Sequence, residues 1–440
     1  MKINFINHAG FFCESNGVNL LIDPWLDGTA FNDGWSLTSR SVTSLDDLAT
    51  ATHIWISHEH PDHFRPGTLS KIPIARRNEI FFLFQRTIDR KVINFCSKLG
   101  FKTIEVEDGK YFNFNDHFKI RCEKSSIYDS WILLETPLGR ILNLNDSPIR
   151  SAAAISLLKK KVGNIDVLMT QFNYAGWRGN PEDSSKRILD AKEKQKTVAK
   201  QIALLNPRYC IPFASFSYFC HEDNAFMNAE SNSPMLAVET IEQTSTIPIL
   251  LYPGDTWTVG AHHNNDAALY RYNKDYQRIK NEPLLTSNSI PFKDLQQSAQ
   301  EYREQKLQEN SKLFFFLLQL IPFVHFLEDL TIELVDTNIV ACFSFKNDQA
   351  LRRVDQSTKN YILRMRSDSL NFIFAHDWGI DTLAANARFY ADRGGLWHLI
   401  ATFGIGVLNN SGIYLNHRLF RNFTSLKFLL VTVIKKLART

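Results

Sequence analysis

No two of the six cysteines stand at C-x-x-C or C-x-H spacing, so the ligand patterns of zinc fingers, thioredoxin-like centres and Rieske clusters are missing from this sequence. Cys13, Cys96, Cys122, Cys210, Cys220 and Cys342 are scattered, which reads as reduced thiols in a cytoplasmic protein. Long apolar runs are missing too. The longest, Leu313 to Leu327, falls short of the ~20 residues of a bilayer span and is broken by Pro322 and His325. A buried helix is expected there, and no transmembrane segment. The start, Met1-Lys2-Ile3-Asn4-Phe5, enters a strand pattern without the apolar run of a signal peptide. Charge of one sign is scarce: a formal net charge of +4, spread along 440 residues, gives no footing for nucleic acid. There is neither an internal repeat nor a low-complexity tract.

What is present is a globular balance, 44% hydrophobic and 22% charged, with phenylalanine used 33 times and often in the last third. The length calls for two domains. Residues 1 to 262 read first as strands, among them Val18 to Ile22 and Ile54 to Ile56, then a hairpin of Trp131–Glu135 and Arg140–Leu144. From Ser147 the period becomes helical, through Ile149, Ala152, Ile155 and Leu158 to a stop at Gly163. A strand from Ile165 to Met169, a charged helix from Asp183 to Leu205 and a strand from Tyr209 to Phe213 follow. This order suits a two-sheet sandwich with helices on both outer faces, an α/β class. Residues 263–311 turn polar and read as a linker with one exposed helix; residues 312–440 read as an α+β accessory domain. Alternation at Ile339, Ala341, Phe343 and Phe345, and at Tyr361, Leu363 and Met365, marks two of its strands.

The informative segment is Ser57-His58-Glu59-His60-Pro61-Asp62-His63, placed directly after a buried strand. Two imidazoles at i and i+2, then a carboxylate and a third imidazole, can turn toward one point from such a loop. Neutral imidazole and carboxylate suit zinc, iron or manganese, and two adjacent sites of this kind generate a metal-bound nucleophile near neutral pH. Asp62 and His63 are the candidate catalytic residues within this set.

The H-x-H-x-D-H motif, with Asp23-Pro24-Trp25 upstream, resembles the metallo-β-lactamase superfamily, in particular its sugar-phosphate lactonases and N-acyl-phospholipid phospholipases. The resemblance implies an αββα sandwich, two divalent metal ions and a bridging aspartate, which falls on Asp146 in Leu144-Asn145-Asp146-Ser147. Pro253-Gly254-Asp255-Thr256 looks like the bridging motif but comes too late in the chain and reads as a turn. Hydrolases of the superfamily carry two further histidines where this chain has Glu123 to Ser130 and Cys210 to Phe216. Asp129 and His221 are the substitutes at hand, and the harder site they make tilts the metal toward iron or manganese.

A second, narrower resemblance joins Asp23-Pro24-Trp25, Gly28, Ala30-Phe31, Gly34-Trp35, His63-Phe64 and Asn206 to Ala214. It continues through Phe219 and His221-Glu222-Asp223 to the asparagines Asn224, Asn228 and Asn232. These blocks are similar to the β-lactamase-like part of CMP-N-acetylneuraminate hydroxylase. That implies a non-haem iron monooxygenase acting on a sugar nucleotide or a related anionic small molecule. Those hydroxylases also carry a Rieske domain; with no Rieske ligands in this sequence, a separate electron-transfer protein is expected. The alternatives are a hydrolase of a phosphodiester, amide or lactone, and a degenerate binding module. For substrate contact the candidates are His8, at the end of the first strand, Trp25 and Trp177 as apolar wall with Trp35, and Arg178 as anion clamp. His117 reads as a turn residue, His376-Asp377-Trp378-Gly379 as a turn before a helix, and Leu426 to Leu437 as a docked terminal helix.

Overall fold

The computed structural model describes residues 1–125, 129–320, 326–355, 362–392 and 394–416. Tyr361, the Pro322 and His325 breaks and the segment Leu426 to Leu437 lie outside the described residues. Two seven-stranded sheets dominate the first part of the chain. The first runs in the order Thr256–Thr258, Lys2–Asn7, Gly10–Ser15, Val18–Ile22, His53–Ile56, Phe81–Gln85 and Lys102–Val106. The second runs Ile247–Pro248, Tyr209–Phe213, Val167–Gln171, Gly139–Asn145, Ser130–Thr136, Phe118–Lys124 and Tyr111–Asn115.

The strand sequences explain the layering. In Val18–Ile22, Leu20 and Ile22 enter the core between the sheets while Leu21 faces the outer layer. In His53–Ile56, Trp55 points inward and Ile54 and Ile56 outward. Both faces are covered, so these strands are apolar throughout rather than alternating. Leu69, Val92, Ile93 and Cys96 of the helices Pro66–Lys71 and Lys91–Lys98 cover the first sheet. The helices Ala152–Val162, Ser184–Leu205 and Pro234–Glu242 pack beside the second. The result is the metallo-β-lactamase αββα sandwich.

Local signals act where the sequence places them. The hairpin closes with Thr136 opposite Gly139. Ser151 caps its helix by accepting from the Ala154 N–H, and Gly163, at φ 70°, ends it. The helix starts at Ala152, later than its apolar period suggests, because Ser151 supplies the cap. Pro253 to Thr256 is the expected turn, with Asp255 holding the Tyr252 N–H and pairing with Arg271.

Residues 263–311 are more integrated than a polar linker. Helix Asn265–Ile279 sends Ala268 and Tyr272 into the first core, and helix Phe292–Glu309 sends Leu295, Ala299 and Tyr302 into the second. The spacing of those last three is one helical stripe in a polar background, which composition alone hides. The second unit has a five-stranded sheet in the order Leu351–Arg353, Ile339–Phe343, Leu330–Leu334, Leu363–Met365 and Phe389–Ala391. Phe343, Phe345, Phe374 and Phe403 gather around Tyr302 as its aromatic core. Among the described residues no helix is long and apolar enough to cross a membrane.

The two units are joined by polar contacts that admit little slack. The backbone of Gly34 lies so near Asn386 that a Cβ built on it would fall 2.3 Å from the Asn386 Cβ. Asn386 donates to Phe31 O, and Asn224 donates to Asn386 O and Gly34 O. Arg388 is fully buried and bonds Asp368, Asp223 and the Asn32 carbonyl. Removing that guanidinium leaves two carboxylates facing each other in a poorly solvated seam. Arg388→Met is expected to destabilise the protein by about 3–5 kcal/mol, read as a lowered denaturant midpoint. An unchanged midpoint would show that the seam carries no such load.

Candidate metal centre

The chain brings its candidate metal-binding side chains together through one buried carboxylate. Asp23 follows strand Val18–Ile22 with φ 40°, a left-handed turn that aspartate tolerates better than most residues. Its oxygens accept from the Ser57 N–H at 2.8 Å, the Ser57 hydroxyl at 2.6 Å and the Asn145 amide at 2.7 Å. His63 Nδ1 stands 2.9 Å away and donates to the same carboxylate. With Nδ1 committed, His63 presents Nε2 to the centre. The Ser57 hydroxyl donates to Asp23, so it is left to accept from His58 Nδ1 at 3.0 Å, and His58 also presents Nε2.

Two bulges aim the remaining ligands. The register slips between Asn143 and Asn145, with Asn145 at φ 55°, and Asp146 is turned toward the histidines. A second slip between Phe5 and Asn7 precedes His8, itself at φ 45°, whose carbonyl is held by the Ala214 N–H. Three overlapping groups result: His8, Asp62 and His63; His58, His63 and Asp146; His58, His60 and Asp129.

The separations fit metal ligation. Atoms bound to one cation at about 2.1 Å stand roughly 3.0–3.4 Å apart in tetrahedral or octahedral arrangements. His63 Nε2 is 3.2 Å and His8 Nε2 3.3 Å from Asp62 Oδ2, and His58 Nε2 is 2.9 Å from His60 Nδ1. Asp146 Oδ2 lies 3.7 Å from His58 and 3.8 Å from His63, between the two ends, and Asp129 lies 3.9 Å from His58. His63 Nε2, Asp62 Oδ1 and Asp146 Oδ1 are buried without a hydrogen-bond partner. Orphaned polar atoms of this kind are costly unless a cation completes them.

Electrostatics tells the same story. Burial would raise the Asp62 carboxyl, but His63 and His8 hold it well below the usual carboxylate range. Burial opposes charge on His63, yet Asp62, Asp146 and Asp23 hold its pKa well above that of an ordinary imidazole. Burial also works to raise Asp146, and His58 and His63 bring it down. His60 lies at the other extreme, pushed to about 4 by burial and by His58.

Not every expected residue arrives here. His221 is buried elsewhere, its ring held by Ser287 Oγ at 3.0 Å and Asp223 at 3.2 Å beside a bridge to Leu285. Trp177 stacks on Phe389 of the second unit, where the Ala384 carbonyl holds its backbone. Trp25 does stand at the centre, edge-on to His8, with its N–H tied to Asp27 O. Arg178 lines a neighbouring cavity. His117 is an exposed turn residue, as expected. Missed as functional were Asp23, Ser57 and Asn145. The Asp-Pro pair at a strand end was a visible signal for the first; the other two carry none.

Asp23→Asn keeps the shape but weakens its hold on His63 and on the Ser57 N–H. Metal affinity is expected to fall about 10–100-fold, measured by equilibrium dialysis with the circular dichroism spectrum unchanged. Equal affinity in the variant would separate Asp23 from metal binding.

A family model described as "Beta-lactamase superfamily domain" matches residues 2–128. Cytidine monophosphate-N-acetylneuraminic acid hydroxylase of Danio rerio is 23% identical over 287 residues, 60% of this chain and 47% of the relative. The enzyme of that name from Xenopus laevis is 24% identical over 278 residues, 59% and 44%. A putative Rieske 2Fe-2S iron-sulfur protein of Mycolicibacterium smegmatis is 23% identical over 257 residues, 53% and 47%. The chain spans about half the length of the curated relatives it matches. Among solved structures, CmlA, a diiron β-hydroxylase from Streptomyces venezuelae, aligns with a TM-score of 0.41 at 15% identity, covering 58% of this chain and 53% of that one. Isothiocyanate hydrolase from Delia radicum gut bacteria aligns at 0.44 and 12%, covering 59% and 100%. Residues 2–128 thus match the superfamily's domain model, and the chain resembles CMP-N-acetylneuraminic acid hydroxylase over a longer stretch than the family match alone.

Proposed function

We propose that the chain is a metal-dependent enzyme with two cations, and that it hydroxylates an anionic small molecule. The observation that supports this reading best is the donor set, in which Asp62, Asp129 and Asp146 alternate with four imidazoles across one buried centre. His8, Asp62 and His63 would hold one cation and His58, His60 and Asp129 the other, with Asp146 between them. A set this rich in carboxylate favours iron or manganese over zinc. The relatives named hydroxylases point the same way. Iron bound here would supply redox chemistry with dioxygen.

The chain's own residues do the remaining work. Asp23 and Ser57 fix the imidazoles of His63 and His58 so that their Nε2 atoms converge before any metal arrives. Trp25 packs against the His8 ring and shields that flank from water. The Arg65 guanidinium lies over the Trp25 indole and bonds Asp27 O and Thr29 O, which pins the loop that carries Trp25. Electrons for a monooxygenase would come from a separate electron-transfer protein. The second unit, residues 312–440 in this reading, serves as an accessory domain behind the metal loop.

Metal analysis of protein purified without added metal tests the proposal. About two iron ions per chain are expected, with oxygen consumption once a reductant is supplied. His58→Ala and Asp146→Ala should each lose most of that iron. Zinc as the resident metal, together with hydrolysis of generic phosphodiesters under anaerobic conditions, would replace hydroxylation with the hydrolase reading.

A further inference from the structure

Next to the centre, helix Ser184–Leu205 and the segment after strand Val167–Gln171 border a second cavity of about 250 Å³. Arg150, Arg178 and Lys194 line it, with Tyr174, Asp190 and Glu193. Two of its three positive charges have no carboxylate partner among the described residues. Lys194 is buried, and its hydrogen-bond partner is the neutral amide oxygen of Gln171. Arg150 has no ion pair among the described residues. Arg178 is ion-paired with Asp190 at 3.6 Å, beyond hydrogen-bond reach, while Glu193 is engaged by Lys196 at 2.6 Å. Burying an ammonium among two guanidiniums without a carboxylate partner is unfavourable. Burial and Arg150 push Lys194 down to about 7, against the pull of Asp146 and with Arg178 adding to the fall.

The cavity is joined to the metal centre by shared walls. Tyr174 lines it and also lines the narrow space that contains His8, and Gln171, which holds Lys194, lines that same space. A substrate reaching from His8 to Arg178 would pass along Tyr174, whose hydroxyl is committed to Met227 O.

We propose that this cavity is a substrate subsite for a phosphoryl group, held by the Lys194 ammonium and the guanidiniums of Arg150 and Arg178. Two forks and one point charge offer donors in several directions, which matches a tetrahedral oxyanion better than a planar carboxylate. The assignment rests on the proposed function only in naming the metal centre as the place of reaction.

Isothermal titration of inorganic phosphate into the metal-loaded full chain tests it, with acetate as the competing chemistry. Phosphate should bind once per chain, and Arg150→Ala or Lys194→Met should weaken it at least about tenfold at unchanged metal content, the loss of one charge-assisted hydrogen bond. Arg150 is exposed, so its variant remains informative if the Lys194 variant fails to fold. Unchanged phosphate affinity in Arg150→Ala would mean that the metals alone hold the anion, and would overturn the subsite. Acetate binding as tightly as phosphate, or no phosphate binding, would also overturn it. A native chain that carries no metal would sink the proposed enzyme while leaving the phosphate titration fully readable.

Discussion

Four donors on one carboxylate set the geometry of everything at this centre. Asp23 is fully buried, and a buried charge persists only where hydrogen bonds replace its water. Its partners come from both sheets: the Ser57 backbone and hydroxyl and the His63 ring from the first, the Asn145 amide from the second. The same contact therefore fastens the two sheets at their edge and selects the histidine nitrogens that face the metals. Asp23 and Asn145 both sit in left-handed backbone, at φ 40° and 55°. Such conformations cost energy, and here the hydrogen bond that the Asn145 amide donates to the Asp23 carboxylate stabilises both turns at once.

The second unit bears on the centre from outside. Asn410, at the end of helix Gly395–Asn410, donates to Glu59 and accepts from Lys91. Glu59 lies between His58 and His60, so the metal loop is braced by a residue far away in sequence. A cavity of about 330 Å³ separates the units there, walled by Phe64 and Phe95 on one side and Trp378 on the other, with His60 at its edge. The loop is thus held from behind by Asp23 and from the side by Asn410, and neither brace is a metal ligand.

The sequence was most readable where chemistry and period coincide. A continuous apolar strand followed at once by His58, His60, Asp62 and His63 pointed to a candidate ligand loop at a sheet edge, and the structure brings these side chains together with Asp146, which follows a hairpin strand. The layering was also legible, because Leu20, Leu21 and Ile22 are all apolar and only a doubly covered strand needs that. His221 misled for a plain reason: proximity to family-like asparagines says nothing about which way a ring points, and Asn224 and Ser287 turn it toward the second unit. The burial of helix Phe292–Glu309 was hidden because its buried stripe is only a few residues wide in a charged background. Arg150 and Lys194 carry no motif at all. Their meaning lies in the carboxylates they lack, and an absence of partners can be seen only in three dimensions.

Charge couples the cation-lined cavity to the metal centre. Without cations, Asp62, Asp129 and Asp146 make the centre repel any anion that Arg150, Arg178 and Lys194 attract, so an anionic substrate would be drawn to one end and rejected at the other. Two divalent cations outweigh the three carboxylates and reverse the sign of the centre. An anion would then meet attraction at both ends, with the neutral side chains of Tyr174 and Gln171 between them. In the proposed reading, such an arrangement would bind its substrate more tightly with the metals in place. It would also hold the substrate by the end that does not react, leaving the orientation of the reacting end to the positions fixed by Asp23.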